Sequence, residues 1–120
     1  MATSIRQEQV SELVRRNMGT VLQNEGAYIY GSNPFVTVTE VQTTSDLGIC
    51  RIYLSVWNTE DKQSVILKLE EDYPRVRQAL GYRLKNQLRR IPELQFYLDD
   101  TLDEMYRLRE VFDGLNRDKD

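Results

Sequence analysis

The chain has 120 residues, a net charge of −3, 40% apolar and 29% charged residues, and one cysteine. That is one domain's worth of sequence, able to bury a core without a metal or a disulfide. No apolar run reaches the roughly 20 residues of a membrane span, and the lack of any histidine removes the commonest general base and zinc ligand, which favours binding over catalysis. The first ten residues carry no apolar stretch of a secretory signal, and Cys50 has no partner for an internal disulfide. Both fit a reducing cytoplasm.

Val10, Leu13, Val14, Met18, Val21 and Leu22 recur at spacings of three and four. They predict an amphipathic helix over 5–23, ending near Asn24–Gly26 with Gly26 as a left-handed cap. Arg6, Arg15 and Arg16 fall on its polar side. Gly31-Ser32-Asn33-Pro34 reads as a loop. Val36 and Val38, with the neighbouring Phe35 and Val41, predict a strand of about seven residues. After turn chemistry at Ser45-Asp46, residues 49–57 alternate as a second strand. One face carries Cys50, Ile52, Leu54 and Val56, with Cys50 as a small buried residue. The other carries Ile49, Arg51, Tyr53, Ser55 and Trp57. A short turn makes the two strands antiparallel neighbours.

Asn58 or Thr59 can cap the next helix, with Val65, Ile66 and Leu69 facing inward. Pro74 cannot sit smoothly inside a helix and disfavours helical backbone at Tyr73. The reading is therefore a helix broken at Asp72-Tyr73-Pro74, with Asp72 as N-cap of the restart. The second helix is expected over 74–89, with Val76, Ala79, Leu80, Leu84 and Leu88 inward. Pro92 closes it. Residues 93–98 form a third strand with Leu94, Phe96 and Leu98 on one face; arriving after a helical crossover, it can pair in parallel. Thr101-Leu102-Asp103-Glu104 is a capping box that opens a last helix ending near Gly114, with Leu102, Met105, Leu108 and Phe112 as its stripe. The order α-β-β-α-kink-α-β-α describes an α+β fold of two layers, expected as a single domain over 1–120 with its core at about 5–114.

Between residues 75 and 90 the chain places Arg75, Arg77, Arg83, Lys85, Arg89 and Arg90, six of its 16 basic residues and none of its 19 acidic ones. No acid is interspersed for pairing one turn away. Arginine suits bidentate phosphate contact. The run therefore reads as a cationic helical face for an RNA backbone, with Tyr82 as its stacking aromatic. Arg6, Arg15 and Arg16 extend that face if the first helix packs alongside. The bland alternative is a solvated face, and a further one is a surface for an acidic protein. Gly81 marks either tight packing or close approach of RNA. Asp99, Asp100, Asp103 and Glu104 could supply metal ligands to a nuclease, but they read as a turn followed by acids at the positive end of a helix dipole. No catalytic residue, metal or cofactor is expected.

Three stretches carry a family resemblance: Val38-Thr39-Glu40-Val41 with Ser45-Asp46-Leu47 leading to Arg51-Ile52-Tyr53-Leu54-Ser55-Val56; Val76-Arg77-Gln78-Ala79-Leu80-Gly81; and Arg90-Ile91-Pro92-Glu93-Leu94-Gln95-Phe96. In this order they resemble the ribosome-binding factor A family over roughly residues 5–112. The resemblance implies a type II KH-like fold and a non-catalytic cytoplasmic factor, often needed in the cold. It implies binding to the small ribosomal subunit near the 5′-end region of 16S rRNA during late maturation. A monomer with no membrane partner and no small-molecule substrate is expected. Family members lack the GxxG loop of RNA-clamping KH domains, so a four-nucleotide grip is not expected. They typically carry Ala-x-Gly where this chain has Asp72-Tyr73-Pro74.

Overall fold

The computed structural model describes residues 4–99. The order is α1 (Ile5–Tyr30), β1 (Phe35–Thr43), β2 (Ile49–Trp57), α2 (Lys62–Glu71), α3 (Tyr73–Leu84) and β3 (Glu93–Leu98). The expected last helix lies outside the described residues. The sheet runs β1-β2-β3, antiparallel between β1 and β2 and parallel between β2 and β3. The helical pair α2–α3 is thus the crossover that a parallel join requires.

Alternation along β2 separates the two faces. Cys50, Ile52, Leu54 and Val56 are buried under the helices, together with Leu94 and Phe96 of β3. Their helical partners in the same core are Val10, Val14, Met18, Val21 and Leu22 of α1, Val65, Ile66 and Leu69 of α2, and Val76, Leu80 and Leu84 of α3. On the open face Tyr53 and Tyr97 stack with ring centroids 5.3 Å apart.

Helix α1 starts at Ile5, with Ser4 as its N-cap. The Ser4 hydroxyl accepts from the Gln7 amide and the Gln7 side chain accepts from the Ser4 amide, a reciprocal capping box. The helix also runs a full turn past its expected end, to a cap at Gly31 with φ +91°, the left-handed side that glycine adopts at least cost. Gly26 is a buried core position instead. The Tyr30 ring lies where a Gly26 side chain would project. The apolar stripe therefore continues from Leu22 through Gly26 to Tyr30.

Strand β1 has nine residues, not seven, and holds a bulge. Val38 pairs with Leu54 and Glu40 with Tyr53, leaving Thr39 over. One extra residue flips the alternation, which explains why Val36, Val38, Val41 and Thr43 all point toward the core. The Thr39 hydroxyl donates to the Asp99 carboxylate at 2.6 Å. The cap of α2 is Asp61, which accepts from the Ser64 amide, rather than Asn58 or Thr59. Asn58 sits at φ +63° and donates instead to the Asn33 carbonyl.

The break between α2 and α3 is the single residue Asp72, at φ −99° and ψ 24°. Tyr73 is the first residue of α3, so it is Asp72 and not Tyr73 that leaves the helical run. Pro74 then stands in the first turn, where the missing amide costs nothing. Asp72 caps α3 with its backbone carbonyl, which accepts from Arg75 and Val76; its side chain makes no capping bond. The Tyr73 hydroxyl accepts from the Leu94 amide at 2.8 Å. That satisfies an edge-strand donor of β3 and ties the break to the sheet.

Cys50 is fully buried, its sulfur 3.4 Å from the Thr43 hydroxyl. Burial pushes its thiol above the usual cysteine range, and the Thr43 bond only partly opposes this. A raised value favours the neutral thiol in the folded state. Its contribution to stability is present below the unfolded cysteine value and is lost as pH rises through the folded one. Cys50 in the native protein is therefore expected to resist a thiol reagent at about pH 8 and to react fully after denaturation. Prompt native-state labelling would contradict this packing.

Candidate nucleic-acid interface

The basic run is not one helix. α3 ends at Leu84 with Lys85 as its C-cap, and the Leu84 carbonyl accepts from both Gln87 and Leu88 in a closing turn. Leu88 still anchors in the core, at 7% exposed. Pro92 disfavours helical backbone before it, and Arg89 and Arg90 lie on the exposed loop leading to β3. The expected helix over 74–89 is thus corrected to a shorter helix plus a basic loop.

This division sorts the cations by their partners. The half-buried Arg77 turns back onto the chain, its guanidinium donating to the carbonyls of Ile91 and Pro92. Arg75 lies 3.4 Å from Glu25 and 3.8 Å from Asp72, with its guanidinium 5.3 Å from the Tyr28 ring centroid. Arg83 donates through Nε to the Asn17 side chain of α1 at 3.1 Å. Lys85 stands 4.6 Å over the Tyr82 ring. Arg15 and Arg16 both pair with Glu12, at 2.6 and 3.5 Å. The Arg15 bond holds the Glu12 carboxyl below its ordinary value, and Glu12 in turn raises Arg15.

Arg6, Arg89 and Arg90 are different. They are exposed and converge on a cleft of about 410 Å³ lined also by Val10, Asp46, Leu47, Gln87, Leu88 and Pro92. None of the three makes a hydrogen bond or ion pair among the described residues. Among the described residues Asp46 is the one acid lining the cleft, and its Oδ1 is occupied by the Thr44 hydroxyl and the Gly48 amide at 2.7 and 3.0 Å. Those bonds, the Thr44 one foremost, hold it below the usual carboxylate range, with Arg90 adding a smaller effect. The cleft therefore offers three unspent guanidinium groups to an anion.

A second groove, of about 540 Å³, lies between α1 and α3 and is lined by Val21, Asn24, Glu25, Arg75, Gln78, Ala79, Tyr82 and Arg83. Tyr82 is 73% exposed, and Tyr28, near Arg75, is 74% exposed. Tyr28, Asn24 and Gln78 escaped the sequence reading. The signal for Tyr28 was there: an aromatic off the apolar stripe of α1, masked by ending that helix at Gly26. Gly81 is half-buried, and a side-chain carbon there would meet only Ile91, at an ordinary 3.5 Å. Of the acidic cluster, Asp99 accepts from Thr39, while Asp100, Asp103 and Glu104 lie outside the described residues. Among the described residues no three metal-ligating side chains converge, and no helix is long and apolar enough to cross a membrane.

Comparison with known proteins bears on the family and the fold. The family profile described as Ribosome-binding factor A matches residues 6–112. Ribosome-binding factor A of Chlorobaculum parvum is 36% identical over 115 residues, spanning 95% of this chain and 93% of the relative. That of Cytophaga hutchinsonii is 33% identical over 108 residues, 90% and 80% of the two chains. The crystal structure of ribosome-binding factor A from Thermus thermophilus superposes with a TM-score of 0.62 at 19% identity, covering 77% of this chain and 94% of the other. A Thermus thermophilus homology model fitted into a cryo-EM map of a 30S–RbfA complex gives 0.61 at 20% identity, covering 82% and 96%. At these identities the likeness establishes a shared fold.

Proposed function

The chain belongs to the ribosome-binding factor A family, and from that premise we propose a single-domain, non-catalytic assembly factor of the small ribosomal subunit, acting in the cytoplasm. It binds 16S rRNA near its 5′-end region during late maturation and rRNA processing, and leaves before translation. The observation that carries the RNA contact is the cleft lined by Arg6, Arg89 and Arg90, none of which makes a hydrogen bond or ion pair among the described residues. A cation that meets a phosphate releases condensed counterions, and this drives association. Arg83 and Lys85 extend the contact along α3. Arg75 and Arg77 mainly hold the scaffold, by their pairing with Glu25 and the loop carbonyls. The chain's net charge of −3 limits sticking to unrelated RNA. The fold fitted into a 30S–RbfA map supports this partner.

Crosslinking tests the reading. A photoreactive residue at position 89 is expected to join 16S rRNA in small-subunit precursors at one clustered site. The same residue at position 97, on the open sheet face, is expected to give none. Crosslinks from 97 alone, or only to ribosomal proteins, would overturn the assigned face.

A further inference from the structure

Resting on the RNA-binding reading, we infer that the groove between α1 and α3 receives one unpaired nucleobase, with Tyr82 as the stacking surface and Asn24 and Gln78 as edge-reading groups. Docking by shape and charge needs only cations. This groove holds more than that. Its volume of about 540 Å³ falls in the range of small-ligand sites, and its apolar lining comes from Val21 and Ala79. Tyr82 is 73% exposed. Lys85 stands over its ring at 4.6 Å, leaving the opposite face for a base. Base–aromatic stacking tolerates any base, because each has a π-face.

Sequence discrimination requires polar groups with free valence. The side chains of Asn24 and Gln78 are exposed and make no hydrogen bond among the described residues. A carboxamide offers a donor and an acceptor together, which matches the edge of a base. Glu25 is held by Arg75, so the acid in the groove is neutralised. Arg83 spends Nε on Asn17, and its terminal nitrogens, which make no bond among the described residues, serve the phosphates flanking the base. A π-face beside cations, with two open carboxamides, is complementary to a nucleotide of single-stranded RNA. An acidic peptide would use the cations but has no need of the aromatic wall.

The test uses the whole chain and short single-stranded RNA carrying one 2-aminopurine among uridines. Stacking on Tyr82 is expected to quench the fluorophore on binding. Tyr82→Ala should abolish the quench and weaken binding about ten-fold, while Tyr82→Phe keeps both. Asn24→Ala with Gln78→Ala should retain the quench and lose preference among bases at that position. Circular dichroism of these surface variants should match the parent. A Tyr82→Ala chain with unchanged quench and affinity overturns the groove as a base receptor and leaves subunit binding untouched. Wild-type protein that binds small subunits but not the oligomer does the same. Wild-type protein captured by subunit proteins after nuclease digestion of the RNA overturns both readings.

Discussion

Arg77→Met is expected to lose on the order of 10 °C in melting temperature. Arg77 reaches from α3 to the carbonyls of Ile91 and Pro92, in the loop that delivers β3 to the parallel edge of the sheet. Ile91 is half-buried and Pro92 buried, and both carbonyls accept from this guanidinium. Hydrogen bonds to charged groups contribute about 1.5–3 kcal/mol, and an orphaned acceptor adds its own cost. A net loss of about 2–3 kcal/mol in a chain of this size gives the stated shift. Methionine keeps the stem and its packing, so the deficit reports the guanidinium. Arg77→Lys should recover only part, because an ammonium lacks the planar fork that spans two carbonyls. Thermal and urea unfolding measure this, and the folded Arg77→Met protein should still bind small subunits in the cold. An unchanged midpoint would mean the two bonds contribute nothing.

Reversing Arg6, Arg89 and Arg90 together to Glu is the second large effect. All three are exposed and make no hydrogen bond or ion pair among the described residues, so the variant should melt like the parent. Three lost phosphate contacts cost about 500-fold in affinity at ~0.1 M salt through the counterion term alone, and repulsion by the new carboxylates adds to it. Co-sedimentation with small subunits should be lost at ~0.1 M salt and become measurable only at lower salt. Arg51→Glu is the control, since Arg51 is also exposed but lies on the open face of β2; it should leave binding intact.

These two arginine sets show where sequence reading stops. Six cations without an acid between 75 and 90 are visible as composition. Their fates are not, because each depends on a neighbour far along the chain. Arg77 is spent on carbonyls 14 and 15 residues later, and Arg83 is tied to Asn17, 66 residues earlier. Arg6 meets Arg89 only because α1 and the α3–β3 loop flank one cleft. The elements themselves were more legible. β2 and β3 match their expected bounds because strict alternation needs no tertiary context. The break before Pro74 follows from proline's missing amide. The length of α1 was misread because glycine is both a helix cap and a small core residue, and only the Tyr30 ring over Gly26 decides between them. The bulge at Thr39 was hidden because the inward set Val36, Val38, Val41 breaks period two without a glycine to mark it.

The measurement that bears most directly on the RNA-docking face is the salt dependence of small-subunit affinity for the parent chain and for the Arg6, Arg89, Arg90 reversal variant. If these arginines contact phosphates, the log–log slope of the variant is shallower by about 3. Two parallel lines would contradict the assignment, whatever their vertical offset.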